Sequence, residues 1–486
     1  VAVAALATFT VRLLFLGFPV MADEAGLLMV ASQWQPGSSL YGDYWVDRPP
    51  GLIAIFVVAD ALGGTVALRV IGALAAATAV VAGAWLGART APRRGEAPFA
   101  CALVVAALVS SPLLDVDEIG AEILALPLLL AGLALVVVAA TGSGNPTWPV
   151  VAAGAAGTAA VFIKQNLIEV WLAVAVVAAA LVVKGEVRRA ALYLVWFMCG
   201  GLVVAAALLT LAWARGTSLA DLWDANVIFR IDAGAVIAEE ATEANLERAR
   251  RLALAWVATG MPVLLILLTR LQWRRPPDNE GPGGPIDSAL AWASVVLLGW
   301  EAFAVASGGS YWLHYLLLPV PGLTLLVAVS MRQHRPRRSG AAEDRTFPRW
   351  VFAPIVASTM VGLVVVLAEP SERPAEDRAV IDYLQENREQ GRTAVVAFGN
   401  PAVLWAADMR SPYEHLWSLP VRVRDPELRG LIRVLRSPDR PQWVIRVGDS
   451  LATWGVDADR ADRVLDRHYR PVYANDQYTV LARMRG

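Results

Sequence analysis

Long runs of Ala, Val and Leu fill most of residues 1–368, and from about 370 to 486 they give way to a segment rich in Arg, Asp, Glu and Pro. A helix needs about 20 mostly apolar residues to cross a bilayer. The runs predict eleven crossings, some of them short: 1–20, 65–88, 98–114, 120–140, 148–163, 167–183, 190–212, 252–270, 287–306, 312–331 and 349–368. The first lacks a basic start and a small-residue cleavage site, which reads as a retained helix and not a signal peptide. Residues 49–64 hold only about 14 apolar positions and open on Pro49-Pro50-Gly51, a pattern suited to a re-entrant or interfacial helix. In the last segment VVAF, WVIRV and YTVLAR alternate with helix-like runs, the pattern of short strands in a small α/β domain. The predicted fold class is a polytopic α-helical membrane protein. Residues 1–368 form its transmembrane domain, with an outer loop at 21–64, and 369–486 form a soluble extracytoplasmic α/β domain.

Composition agrees. The chain is 57% hydrophobic and 17% charged, against about 45–50% and about 25% in soluble domains. Its net charge of −1 gives no basis for nucleic-acid binding. The two cysteines, Cys101 and Cys199, lie in apolar runs, where neither a disulfide nor a metal site is expected. No Walker A sequence, dinucleotide fingerprint or HExxH is present, which argues against an ATP-driven pump and a membrane zinc protease.

Charge in the loops sets the orientation. Basic residues gather at Arg89, Arg93 and Arg94; at Lys184, Arg188 and Arg189; at Arg270, Arg274 and Arg275; and at Arg332, Arg335, Arg337 and Arg338. In the eleven-helix count all four loops share one side, which the positive-inside rule makes cytoplasmic. The N-terminus is then cytoplasmic. Residues 21–64, 115–119, 213–251, 307–311 and the C-terminal domain are outside. Were 49–64 to cross, the later basic loops would move outside.

The scarce polar residues concentrate on that outer side. Asp23 and Glu24 directly follow the first apolar run, and Asp43, Asp47 and Arg48 follow near the re-entrant segment. A carboxylate held at the membrane face by the amphipathic stretch after Asp23 is placed to take a proton from an acceptor hydroxyl. Glu24 is either a second catalytic acid or an orienting or metal-binding neighbour. Asp43 and Asp47 are either acceptor- or metal-binding groups or solvated loop residues. A second group comprises Asp115, Asp117, Glu118 and Glu122, with Glu118 and Glu122 on one helical face if the helix begins that early. Glu122 enters an apolar helix, where a stray charge is costly and usually functional; helix N-termini also favour acids. Lys164 interrupts AAVFIKQNLIEV, and a lysine there binds a phosphate as a point charge or snorkels to the interface. Arg48, held by the proline pair, has the same chemistry. His314 and Tyr315 sit at the outer mouth of a helix, as site residues or as interfacial aromatics. In 213–251, which is placed to cover these groups, Trp223 and Phe229 are expected in the membrane interface.

In order and spacing these residues resemble the GT-C superfamily of membrane glycosyltransferases, especially the protein mannosyltransferase and lipid A aminoarabinose transferase branch. The resemblance covers nearly the whole chain. It rests on Asp23-Glu24, on Tyr41-Gly42-Asp43 and Asp47-Arg48-Pro49-Pro50-Gly51, on Leu68-Arg69-Val70, on Gly120-Ala121-Glu122, on Lys164-Gln165, on SGGSYWLHYLLLPVPGLTLL and on VVAFGNPAVLWAADMRSP. Members often carry lysine before the paired prolines; this chain has Arg48.

The resemblance implies an inverting transfer of a sugar from a polyprenyl-phosphate donor to an envelope glycan, lipid or protein acceptor at the outer face of a bacterial plasma membrane. Asp23 is then the base, with Glu24 and Glu122 as the other catalytic carboxylates. Arg48, Lys164, His314 and Tyr315 bind the donor phosphate. Asp43, Asp47, Asp117 and Glu118 contact acceptor or a divalent cation such as Mg2+, Mn2+ or Ca2+, and metal dependence stays open. The Ala-, Val- and Arg-rich composition points to a high-GC actinobacterium, and with the family to arabinofuranose or mannose as the sugar. The rival readings are a secondary transporter or flippase of a lipid-linked sugar, which should show related halves and midplane charges, and a non-catalytic glycan-binding membrane subunit.

Overall fold

The computed structural model describes residues 1–36, 39–142, 145–239, 243–273, 285–334, 347–370, 372–452 and 455–484. Arg274, Arg275, Arg335, Arg337 and Arg338, counted among the basic loops, lie outside the described residues. The helices run in the order α1 (Ala2–Leu13), α2 (Ala22–Ser32), α3 (Pro50–Ala61), α4 (Thr65–Thr90), α5 (Ala97–Val109), α6 (Ala121–Thr141), α7 (Thr147–Val161), α8 (Glu169–Val183) and α9 (Val187–Ala214). They continue through α10 (Leu219–Trp223), α11 (Phe229–Glu239), α12 (Glu243–Ala258), α13 (Met261–Trp273), α14 (Pro285–Ser307), α15 (Val320–Gln333) and α16 (Ala353–Ala368). The chain divides into two compact units. One comprises 1–17, 69–208 and 242–370; the other comprises 18–68, 209–241 and 371–486.

The first unit is the transmembrane one. Every apolar run expected to cross coincides with a helix, but the helices differ in length. Among the described residues, six segments are long and apolar enough to span: Thr65–Thr90, Ala121–Thr141, Val187–Ala214, Asp287–Ser307, Leu313–Gln333 and Arg349–Ala368. Asn245–Ala258 and Met261–Leu271 make a seventh only as a pair bent by 51°. Helices α1, α5, α7 and α8 have 12, 13, 15 and 15 residues, which at about 1.5 Å per residue fall short of a hydrocarbon core of about 30 Å. Among the described residues, length and composition support six or seven full crossings in a multi-pass membrane protein, and the count of eleven is not confirmed. The run at 1–20 shows why: its helix stops at Leu13, before Gly17 and Pro19. Large apolar side chains on α9 and α16, among them Leu202, Val203, Val361 and Val364, are exposed, as expected where lipid is the solvent.

The second unit contains a four-stranded sheet of β1 (Ala394–Ala397), β2 (Trp443–Val447), β3 (Tyr469–Ala474) and β4 (Tyr478–Arg483), in the order β1-β2-β4-β3. β1 and β2 are parallel; β4 is antiparallel to both β2 and β3. Three of these strands are the alternating segments read from sequence. The fourth, YRPVYA, carries a proline and lies at the edge, where a missing N–H costs no ladder bond. Val395, Val444 and Leu481 pack with Leu431, Leu435, Val464 and Leu465 into a buried core. Helix α3, 12 residues long in this unit, is too short to span, as its Pro-Pro-Gly start led one to expect. Phe229, expected in the membrane interface, is instead buried against Trp45, with ring centroids 4.7 Å apart, whereas Trp223 is exposed.

Candidate active site

In the transmembrane unit the α5–α6 connection carries the acids. A short 3-10 turn, Pro112–Leu114, ends at Asp115 in the left-handed conformation with φ 52°. The Glu118 N–H donates to the Asp115 carbonyl at 3.1 Å, and Gly120 is the extended N-cap of α6. Glu118 therefore lies in a turn before the helix, and the expected shared helical face of Glu118 and Glu122 does not form. Two arginines fix this loop from inside apolar runs. Arg12 donates to the Val109 carbonyl at 2.8 Å and the Glu118 carbonyl at 3.2 Å. Arg69 donates to the carbonyls of Phe15 at 2.8 Å and Leu16 at 3.2 Å. Asp117 is half-buried. Burial and the neighbouring Asp115 raise its pKa above the ordinary carboxylate value, and the charges of Arg69 and Arg12 oppose the rise.

Glu122, in the first turn of α6, is 4% exposed and forms an ion pair with Lys164, just after α7. The same Lys164 Nζ lies over the Tyr315 ring, 4.6 Å from its centroid. His314 stands edge-on to Tyr315 at 5.0 Å. Its Nδ1 is 3.4 Å from Asp115 Oδ2 and 3.7 Å from Glu118 Oε2, and its backbone N–H donates to Asp115 Oδ2 at 3.0 Å. A Cβ on Gly120 would meet Glu122 Oε2 at 3.0 Å and His314 Cδ2 at 3.8 Å; the glycine is the gap through which acid and imidazole approach. Six candidates thus meet in one electrostatic cluster: Glu122, Lys164, His314, Tyr315, Glu118 and, through the charge of Asp115, Asp117. Arg248 of α12, over the Trp312 ring at 5.1 Å, is a further cation near Tyr315. Its run, ERARRLALAW, straddles the end of the 213–251 segment, which the sequence marked only as a cover for the site.

Asp115, Glu118 and His314 each offer a ligand atom, and these lie within 4.8 Å of one another. His314 Nδ1 is buried without a hydrogen-bond partner. Ligands of one tetrahedral ion at bonds of about 2.0–2.2 Å stand about 3.3–3.6 Å apart, close to the separations from His314 Nδ1 seen here. The three residues therefore fit a small divalent ion.

The second unit holds the other candidates. Asp23, near the start of α2, accepts the indole N–H of Trp417 at 3.0 Å. A Cβ on Gly26 would collide with the Trp417 ring, so the glycine one turn on admits the indole that fixes Asp23. Glu24 is fully buried and accepts the Met21 N–H at 3.2 Å, closing the first turn of α2. Asp47 is 7% exposed and bridges two arginines, Arg48 at 2.7 Å and Arg230 at 2.7 Å. Tyr41 donates to the Arg48 carbonyl at 3.2 Å. Asp43 is exposed. Trp417 and Arg230 carried no sequence signal: each acts through a partner distant in the chain.

No protein-family model matches the chain, and no curated protein sequence matches it. Solved structures do match. ArnT from Cupriavidus metallidurans bound to undecaprenyl phosphate is 13% identical with a TM-score of 0.62, over 99% of this chain and 97% of that one. The Archaeoglobus fulgidus oligosaccharyltransferase in complex with Zn and sulfate is 12% identical with a TM-score of 0.51, over 99% of this chain and 72% of that one. AglB from the same organism, in complex with an inhibitory peptide and a dolichol-phosphate, is 12% identical with a TM-score of 0.50, over 99% and 73%. Across its length, this chain has the fold of ArnT from Cupriavidus metallidurans.

Proposed function

We propose that this protein is an inverting glycosyltransferase that moves a sugar from a polyprenyl-phosphate donor to an acceptor hydroxyl of the cell envelope. The observation that carries the reading is the fold match over 99% of the chain to ArnT bound to undecaprenyl phosphate. Such a donor enters sideways from the bilayer, and its phosphate needs cations at the membrane face. Lys164 is nearly buried yet held by a single carboxylate, Glu122. It is preorganised to neutralise a phosphate as a point charge. Arg48, positioned by Asp47 and the proline pair, is a second phosphate cation, and His314 and Tyr315 donate hydrogen bonds. Asp23, steadied by Trp417, takes the acceptor proton while the hydroxyl oxygen attacks the anomeric carbon. The bond to the lipid phosphate breaks with its electrons on the phosphate oxygen. One displacement inverts the carbon and needs no covalent intermediate.

Asp115, Glu118 and His314 are the residues that would hold a divalent ion, which when bound would supply positive charge beside developing phosphate charge. The imidazole suits Zn2+, and the two carboxylates also suit Mn2+, Mg2+ or Ca2+. Glu122, engaged by Lys164, is a counter-ion before it is a metal ligand. Asp117 and Asp43 stand as acceptor contacts, and Glu24 as the group that sets the geometry of the first turn. The acceptor is an envelope glycan, lipid or protein, with arabinofuranose or mannose as the sugar, in an actinobacterial plasma membrane; the N-terminus is cytoplasmic and 369–486 extracytoplasmic.

The test is a product assay by mass spectrometry with purified protein, a panel of polyprenyl-phosphate sugars and candidate acceptors. Release of polyprenyl phosphate with glycosylated acceptor is expected. Asp23→Asn should fold and lose turnover; undiminished turnover would remove Asp23 as base. Movement of intact lipid-linked sugar across sealed vesicles, with no bond broken, would favour the transporter reading.

A further inference from the structure

Two carboxylates in the transmembrane unit take no part in the chemistry above. Glu169 opens α8 and is 1% exposed; Glu301 lies in α14 and is 0% exposed. Helices α8 and α14 pack directly on each other. Next to Glu301 in sequence, the Trp300 indole N–H donates to the carbonyl of Asn166, three residues before α8, at 2.9 Å. A charge on Glu169 is felt at Glu301. Glu301 Oε1 accepts the Gly322 N–H at 2.8 Å in the first turn of α15. Two other oxygens do not have such a partner: Glu301 Oε2 and Glu169 Oε2 are both buried and unpartnered. Gly322 is the reason the acid reaches so deep, since a Cβ there would strike Glu301 Oε2.

Among the described residues, no basic side chain on the packed elements neutralises the pair. On α6 Glu122 is taken by Lys164, α7 has no titratable side chain, and at the far end of α14 and α15 Asp287 pairs with Arg332 at 2.6 Å. Lys184 lies at the opposite end of α8. Two adjacent negative charges with no counter-charge are not tolerated inside a hydrocarbon-embedded bundle. What is missing is one positive partner for two acceptor oxygens.

We infer that Glu169 and Glu301 together hold one small monovalent cation, a proton or a sodium ion, between their unpartnered oxygens. The bound cation clamps α8 to α14 and thereby steadies the loop that presents Lys164, five residues before Glu169.

The experiment uses the full chain in lipid nanodiscs and has two arms. In the proton arm, infrared difference spectra on exchange into heavy water should show a protonated carboxylic C=O band that disappears in Glu169→Gln and in Glu301→Gln. In the sodium arm, Tm should rise by several degrees when NaCl replaces choline chloride at equal ionic strength, and neither Gln variant should keep that rise. Either result supports the pair, and which arm responds identifies the cation. The wild-type protein alone can overturn the inference: no carboxylic band and no sodium effect on Tm would do so, even should a Gln variant fail to fold. Persistence of the band or of the sodium effect in a folded Glu169→Gln, Glu301→Gln double variant would do so too. Neither readout depends on sugar transfer.

Discussion

The ion pair between Lys164 and Glu122 offers the sharpest test of the site, because burial and function make different demands on it. The side chains are 15% and 3% exposed. An exposed pair is worth about 0–1 kcal/mol, but removing one partner of a buried pair costs about 3–5 kcal/mol, because the other charge stays buried and uncompensated. Lys164→Met should therefore lose about 3–5 kcal/mol of stability. Its contact over the Tyr315 ring adds about 0.5–2 kcal/mol of further loss. Glu122→Gln should lose a similar amount to the pair term. The double variant removes both charges and should recover most of it, leaving a coupling energy above about 2 kcal/mol. Reversible unfolding in mixed micelles measures all four corners of the cycle. Losses under about 1 kcal/mol that simply add would refute the buried-pair reasoning. The same four proteins then separate structure from catalysis. If Lys164 is a counter-ion only, the double variant regains turnover together with stability. If Lys164 also neutralises the donor phosphate, stability returns and turnover does not.

Further outcomes follow from single contacts. His415, in the second unit, is 7% exposed between Trp45 and Tyr413, and its Nδ1 has no partner. Burial pushes its pKa down to about 4, with Asp425 opposing and Arg424 assisting. Its folded pKa is below the unfolded value of about 6.5, so its contribution is intact above about pH 6.5 and is lost as pH falls toward about 4, in all about 3 kcal/mol. His415→Phe should flatten that part of the stability–pH profile, and an unchanged profile would show that another group titrates. Gly26→Ala should displace the Trp417 indole and lower turnover at near-wild-type donor KM; Trp417→Phe, which keeps an aromatic six-membered ring but removes the N–H, should reproduce the loss if the hydrogen bond to Asp23 matters. Chelation followed by readdition of Zn2+ or Mn2+ should raise Tm through Asp115, Glu118 and His314, and His314→Ala should abolish that rise; an equal rise in the variant would place the ion elsewhere.

The sequence by itself determined the membrane class, the position of the long apolar helices, three of four strands and the short, non-spanning nature of residues 50–61. These are properties of local composition. An apolar run must become a helix in lipid whatever surrounds it, because its backbone groups have no other partners. Helix length was less legible, since Gly17 and Pro19 end a helix without interrupting the apolar run. The site was legible as residue types and not as partners. Glu122 and Lys164 stood out as charges in apolar surroundings, but only the tertiary structure joined them across 42 positions in sequence. It also put Glu118 in a turn, gave Asp23 to Trp417 across 394 positions, and set Arg12 inside an apolar run with its donors on two carbonyls. The physical reason is that a buried charge must be answered by whatever group folding brings beside it. Sequence shows the cost of such a charge, and packing alone decides which residue meets it.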